Sequence, residues 1–175
     1  MKHRLSWLFG LGLTSILLLV AATPAGAAGP SQIDGVQTLV TYNDPYNPAD
    51  DVFWMDGYGS GRPALIGYWY IRSFVLGVFT PSGVITGTGT EEFVGCYDAN
   101  GDRQCGTAEP SGSLQLSYQA TVKLDPLTFT QVLGRCHHPI TGGTGDFEGA
   151  TGVLRFKDDP ANGCSYYSGH FTLDG

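Results

Sequence analysis

The chain is short of positive charge, with nine lysines and arginines against sixteen aspartates and glutamates in 175 residues and a formal net charge of −7. No basic run or patch offsets that balance. A nucleic-acid or anionic-membrane partner is therefore not expected, and the charge serves mainly solubility. Helical hydrophobic periodicity is also missing: beyond residue 28 no apolar 3.6-residue pattern lasts longer than about two turns. There is no Gly-x-Ser-x-Gly elbow to present a nucleophilic serine. The glycine-rich stretch at 142–152 runs into strand-forming residues, where a phosphate loop would need a helix and a Lys-Ser/Thr pair. No internal repeat and no second domain is evident. No cysteine lies near residue 27, which argues against a lipid-anchored lipoprotein.

The one long apolar run stands at the start. "MKHR" is basic, "LSWLFGLGLTSILLLVAA" is apolar and "TPAGAAG" offers small residues for cleavage, the layout of a secretory signal peptide. Gly10 and Gly12 weaken the run as a retained anchor, and Ala25-Gly26-Ala27 fits the small-x-small rule, so cleavage is predicted after Ala27. The expectation is a secreted protein, extracellular or periplasmic, with a signal peptide at 1–27, a single domain at 28–175 and no membrane association after cleavage. Loss of Lys2 and Arg4 makes the remainder still more acidic. In an oxidising compartment the four cysteines, Cys96, Cys105, Cys136 and Cys164, are expected to form two disulfides. Three pairings are open. Cys96–Cys105 with Cys136–Cys164 is favoured, because the first pair brackets the turn "YDANGDRQ".

Alternation of apolar and polar residues, broken by Gly, Pro, Asn and Asp clusters, predicts strands at 35–42, 64–72, 74–79, 83–95, 113–124, 127–137, 150–157 and 165–173. Residues 43–63 read as a long loop, with a short strand at Val52–Met55. The plainest strand is "LQLSYQATVKL", where Leu114, Leu116, Tyr118, Ala120, Val122 and Leu124 share one face. One wet face and one dry face indicate an antiparallel sheet. After the turn at Asp125-Pro126, the same reasoning puts Leu127, Phe129, Gln131, Leu133, Arg135 and His137 on the inner face. Polar side chains on an apolar interior are the informative exceptions. The pattern suits a barrel or a sandwich equally.

Three constellations invite a chemical reading. Cys136, His137 and His138 carry zinc-ligand types, but consecutive strand residues point to opposite faces and cannot converge on one ion, so no metal is expected there. Residues 98–109 have the spacing of a calcium loop through Asp98, Asn100, Asp102, the Gln104 carbonyl and Glu109. Arg103 stands where the sharp turn wants glycine and no helices flank the loop, so a polar hairpin tip is preferred. Glu91 and Glu92 fall on opposite faces and are no carboxylate pair for glycoside chemistry.

The segment "ITGGTGDFEGATGVLRF", with Gly142, Gly143, Gly145, Phe147, Gly149 and Gly152, resembles the glycine-rich stretch of the allene oxide cyclase and dirigent proteins. That resemblance implies an all-β fold, an antiparallel eight-stranded barrel of calycin type, and carries no catalytic residue over. In the physical reading, glycines 142, 143, 145 and 149 permit positive φ and close strand approach, and Phe147 either plugs the barrel end or packs beneath the turn. "GYWY" at 67–70 resembles the Gly-x-Trp opening of lipocalins; Trp69 and Ile71 also read simply as core, with Tyr68, Tyr70 and Arg72 opposite. The leading functional expectation is a barrel holding a small, largely apolar molecule, without a cofactor, lined by Trp69, Tyr118, Gln131, Arg135 and His137. A cyclase or isomerase in the same barrel, and a structural domain with a filled core, are the alternatives.

Overall fold

A computed structural model describes residues 30–41, 51–59 and 61–173. The signal peptide expected at 1–27 lies outside them. Eight strands form a closed antiparallel barrel in sequential order: β1 (Ser31–Thr41), β2 (Val52–Gly57), β3 (Ala64–Phe79), β4 (Val84–Asp98), β5 (Ser111–Leu124), β6 (Gln131–Gly145), β7 (Thr151–Asp159) and β8 (Cys164–Thr172). Strand β8 returns to β1 and closes the ring. The described residues contain no helix. The eight-strand expectation holds, although the members differ. Residues 64–72 and 74–79 form one strand with an irregularity at Arg72, and the short segment near Val52 becomes a full stave of the barrel.

The barrel has unequal ends. Strand β2 pairs with β3 only as far as Tyr70, and β7 pairs with β6 only from Arg135 onward. Strands β3 to β6 therefore extend past their neighbours as a four-stranded apron. At the opposite end the interior is filled by Met55, Leu65, Trp69, Phe93, Leu114 and Phe171, each no more than 1% exposed. Phe147, from the turn after β6, is fully buried against Phe93 and Phe171, with ring centroids 6.3 and 6.2 Å away. Of the two expected placements, the structure takes the plug. Full burial of one such ring contributes about 1.5–3 kcal/mol.

Glycine is required at two points of that turn for different reasons. Gly145 has φ 65°, where a side chain is strained. Gly143 has ordinary backbone, but a Cβ there would lie 2.1 Å from the Phe147 carbonyl oxygen. Positive φ, expected also at 142 and 143, is not found at either.

Cys96 and Cys105 form the expected disulfide, their Cα atoms 5.8 Å apart. Such a bond is at home in an oxidising compartment. The second expected bond does not form, and Cys136 and Cys164 are free. Strand β7 stands between them: Cys136 lies opposite Phe156, whereas Cys164 lies opposite Asp159. Two strand spacings of about 4.8 Å exceed the roughly 7 Å that a disulfide spans between Cα atoms.

Candidate functional site: a buried acid–imidazole pair beneath an apolar mouth

Inside the barrel, where the filled half gives way to the apron, lies a group of polar side chains. Glu91 on β4 and His138 on β6 meet with Glu91 Oε2 2.5 Å from His138 Nδ1, and their side chains are only 6% and 4% exposed. With Glu91 ionised its oxygens only accept, so Nδ1 carries the proton. The other ring nitrogen, Nε2, is buried and has no hydrogen-bond partner. Aromatic rings surround the imidazole: Tyr118 is stacked at 5.7 Å, Phe156 lies at 4.5 Å and Trp69 presents an edge at 5.4 Å. A carboxylate fixing one imidazole nitrogen and leaving the second bare is the arrangement that orients a general base.

Two further titratable groups share this interior. Burial, followed by the nearby charge of Glu91, holds the Tyr118 phenol protonated well above its ordinary range. Burial also pushes the Cys136 thiol up to about 12, with the charges of Asp158 and Glu91 adding to the effect. Asp158 accepts hydrogen bonds from Gln131 and from Ser165, the latter at 2.7 Å. Room for these groups comes from absent side chains. A Cβ at Gly89 would lie 2.6 Å from the Tyr118 ring, one at Gly87 2.7 Å from Phe74, and one at Gly134 would overlap the Asp158 carboxylate. The alternation in "TGTGT" thus points glycine inward and threonine outward.

Above the pair the inner wall is apolar and open. Cross-strand register aligns Leu76, Gly87, Ala120 and Cys136 on one inner row, and Phe79, Ile85, Val122 and Gly134 on the next. Although they face inward, Leu76 is 63% and Phe79 53% exposed. The apron therefore presents an uncovered apolar lining at the barrel mouth.

Of the residues expected to line the interior, Trp69 and Tyr118 do so, at 1% and 5% exposure. Gln131 is half-buried and reaches Asp158. Arg135 and His137 were expected inside and are exposed on the outer face. The reason is a bulge: Leu124 pairs with Gln131 but Lys123 pairs with Leu133, so Val132 is an extra residue. One inserted residue sends every later side chain to the opposite face. Gly134, Cys136 and His138 consequently turn inward. Leu127 and Phe129, also expected inside, sit in the exposed turn ahead of β6, with Phe129 at φ 55°. The candidate site residues that the sequence reading missed are Glu91 and His138. The available signal was the run Gly134, Cys136, His138, Ile140, small or apolar around a single polar residue. Glu92, as expected, faces away from Glu91 and bonds Arg72 at 2.6 Å.

The 98–109 loop is built as a hairpin tip. Both Asp98 oxygens accept backbone N–H groups, from Gly101 at 2.7 Å and Arg103 at 2.7 Å, and Asp102 accepts from Gln104. The carboxylates of Asp98, Asp102 and Glu109 come within 4.8 Å of one another.

Comparison with family models, curated proteins and solved structures returns no match.

Proposed function

We propose that the protein binds a small, largely apolar molecule in the open mouth of the barrel. The observation that carries this reading is the pair of inward-facing, solvent-exposed side chains Leu76 and Phe79 on the unclosed apron. Exposed apolar side chains grouped on one surface mark an interaction site. A secreted barrel of the allene oxide cyclase/dirigent-like kind is consistent with this reading. The neutral fluorophore N-phenyl-1-naphthylamine provides the test. Saturable fluorescence enhancement, lost in Leu76→Asp and Phe79→Asp variants that keep the wild-type circular dichroism spectrum, is the expected result. Absence of binding, or binding indifferent to both substitutions, overturns the proposal.

A second reading is favoured by the unpartnered His138 Nε2: an isomerase or cyclase acting on the same ligand. In that reading the Nε2 lone pair removes a proton from the substrate, and the protonated Tyr118 hydroxyl donates to a substrate oxygen. The proton returns to another atom of the same molecule, so no co-reactant is consumed. A third reading, a purely structural domain, draws its support from the filled half of the barrel.

A further inference from the structure

We propose that the outer wall of the barrel carries a second binding site, one for an acidic sugar chain. A groove of about 600 Å³ runs over β6, β7, β8 and β1, bordered by Arg135, Arg155, Lys157, Tyr58 and Tyr166. Its volume is in the usual range for ligand sites, roughly 300–1,000 Å³.

The charges there are arranged against the trend of the chain and form a basic patch that the sequence reading did not expect. Acidic residues outnumber basic ones sixteen to nine, so an arginine has no shortage of partners. Arg62, Arg72 and Arg103 each form an ion pair, with Asp34, Glu92 and Asp56 respectively. Arg135, Arg155 and Lys157 form none among the described residues, and they stand together. Arg135 is directly opposite Lys157 across the β6–β7 ladder. Like charges facing each other across a ladder are destabilising. The one carboxylate bordering the groove, Asp34, is held by Arg62 at 2.5 Å. An anion laid along the wall would relieve the repulsion.

The anion's shape follows from the remaining wall. Tyr58 and Tyr166 meet edge to face with centroids 5.6 Å apart and remain 60% and 38% exposed. Exposed tyrosine rings offer apolar faces with a polar tip, suited to a flat, hydroxylated ring. The Ser168 hydroxyl lies in the same groove. Arg155 and Lys157 are two residues apart on β7, about 6.7 Å, and Lys157 and Arg135 are about 5 Å apart across the ladder. Three cationic side chains so close together suit a short chain that carries more than one carboxylate.

The test uses the folded protein and trigalacturonate, with citrate as charge without a ring and maltotriose as rings without charge. Isothermal titration at low salt should show saturable trigalacturonate binding, at least tenfold tighter than citrate and undetectable for maltotriose. Binding should fall at least fivefold between 20 and 200 mM NaCl, following the loss of ion contacts to screening. The Arg155→Gln/Lys157→Gln variant should lose at least tenfold, and Tyr166→Ser several-fold. The double variant should melt no lower than wild type, since it removes repulsion, and should bind N-phenyl-1-naphthylamine unchanged. Failure of the mouth site therefore leaves this proposal standing, and the reverse. Equal citrate binding, trigalacturonate binding untouched by the double variant, or no binding at all would each refute it. A clear drop in melting temperature for the double variant would show that the charges serve the fold, and would refute it equally.

Discussion

Removing either member of the Glu91–His138 pair should damage the fold much more than removing both. Each side chain is at least 94% buried, so His138→Phe strands a carboxylate among Trp69, Tyr118 and Phe156, and Glu91→Leu strands an imidazole N–H. Leaving a buried carboxylate without its partner costs about 3–5 kcal/mol, and leaving a buried N–H unsatisfied costs about 1–3 kcal/mol. At about 2–4 °C per kcal/mol for a domain near this size, His138→Phe should melt roughly 6–20 °C lower and Glu91→Leu roughly 2–12 °C lower. The double variant Glu91→Leu/His138→Phe replaces the pair by apolar groups of similar volume. Such replacements range from neutral to about 4 kcal/mol stabilising. The coupling energy in the double-mutant cycle should therefore be at least about 3 kcal/mol. Urea unfolding followed by tryptophan fluorescence measures all four corners of the cycle. If each single variant costs under about 1 kcal/mol, or the effects add, the pair is not the buried, water-excluded contact described above. A double variant as stable as wild type that still turns over any identified substrate would remove the enzymatic reading and leave the binding reading intact.

The remaining expectations are more local. The denatured chain should titrate two thiols; in the native state at pH 8, Cys136 should react with a neutral disulfide reagent roughly a thousandfold more slowly than an exposed cysteine, because its pKa near 12 keeps it protonated. Rapid native labelling at Cys136, identified by peptide mapping, would contradict that environment. Gly143→Ala and Gly145→Ala should each cost at least about 1 kcal/mol, through the clash with the Phe147 carbonyl and the positive φ respectively. Gly142→Ala, whose Cβ would meet only the flexible end of Gln115, should stay within about 0.5 kcal/mol; equal losses at all three positions would refute the distinction. The Arg103 hydrogen bond to Asp56 holds that carboxyl below its ordinary range. A depressed carboxyl pKa stabilises the fold above the unfolded-state value and loses that effect as pH falls through the folded one. The stability gap between wild type and Arg103→Met should thus be full near pH 6 and close as the pH drops below about 4; a gap that widens on acidification would reverse the assignment.

The sequence by itself determined the class of fold. Strict alternation in "LQLSYQATVKL" dictates a strand with one dry face whatever its neighbours are, and glycine, proline and asparagine clusters at short intervals leave no room for helices. The Cys96–Cys105 bond was legible for the same reason, since both residues flank one local turn. A plug was one of the two placements that the glycine-rich turn left open to Phe147. The tertiary structure decided what lies further away than one hairpin. Whether Cys136 can reach Cys164 depends on β7 lying between them, a fact about strand order that neither cysteine encodes. The face on which Arg135, His137 and His138 emerge depends on the single extra residue Val132, because a period of two converts one insertion into a complete exchange of inside and outside. Glu91 finds His138 across an intervening strand and 47 positions along the chain. The joint register of β4, β5 and β6 puts the acid beside the imidazole.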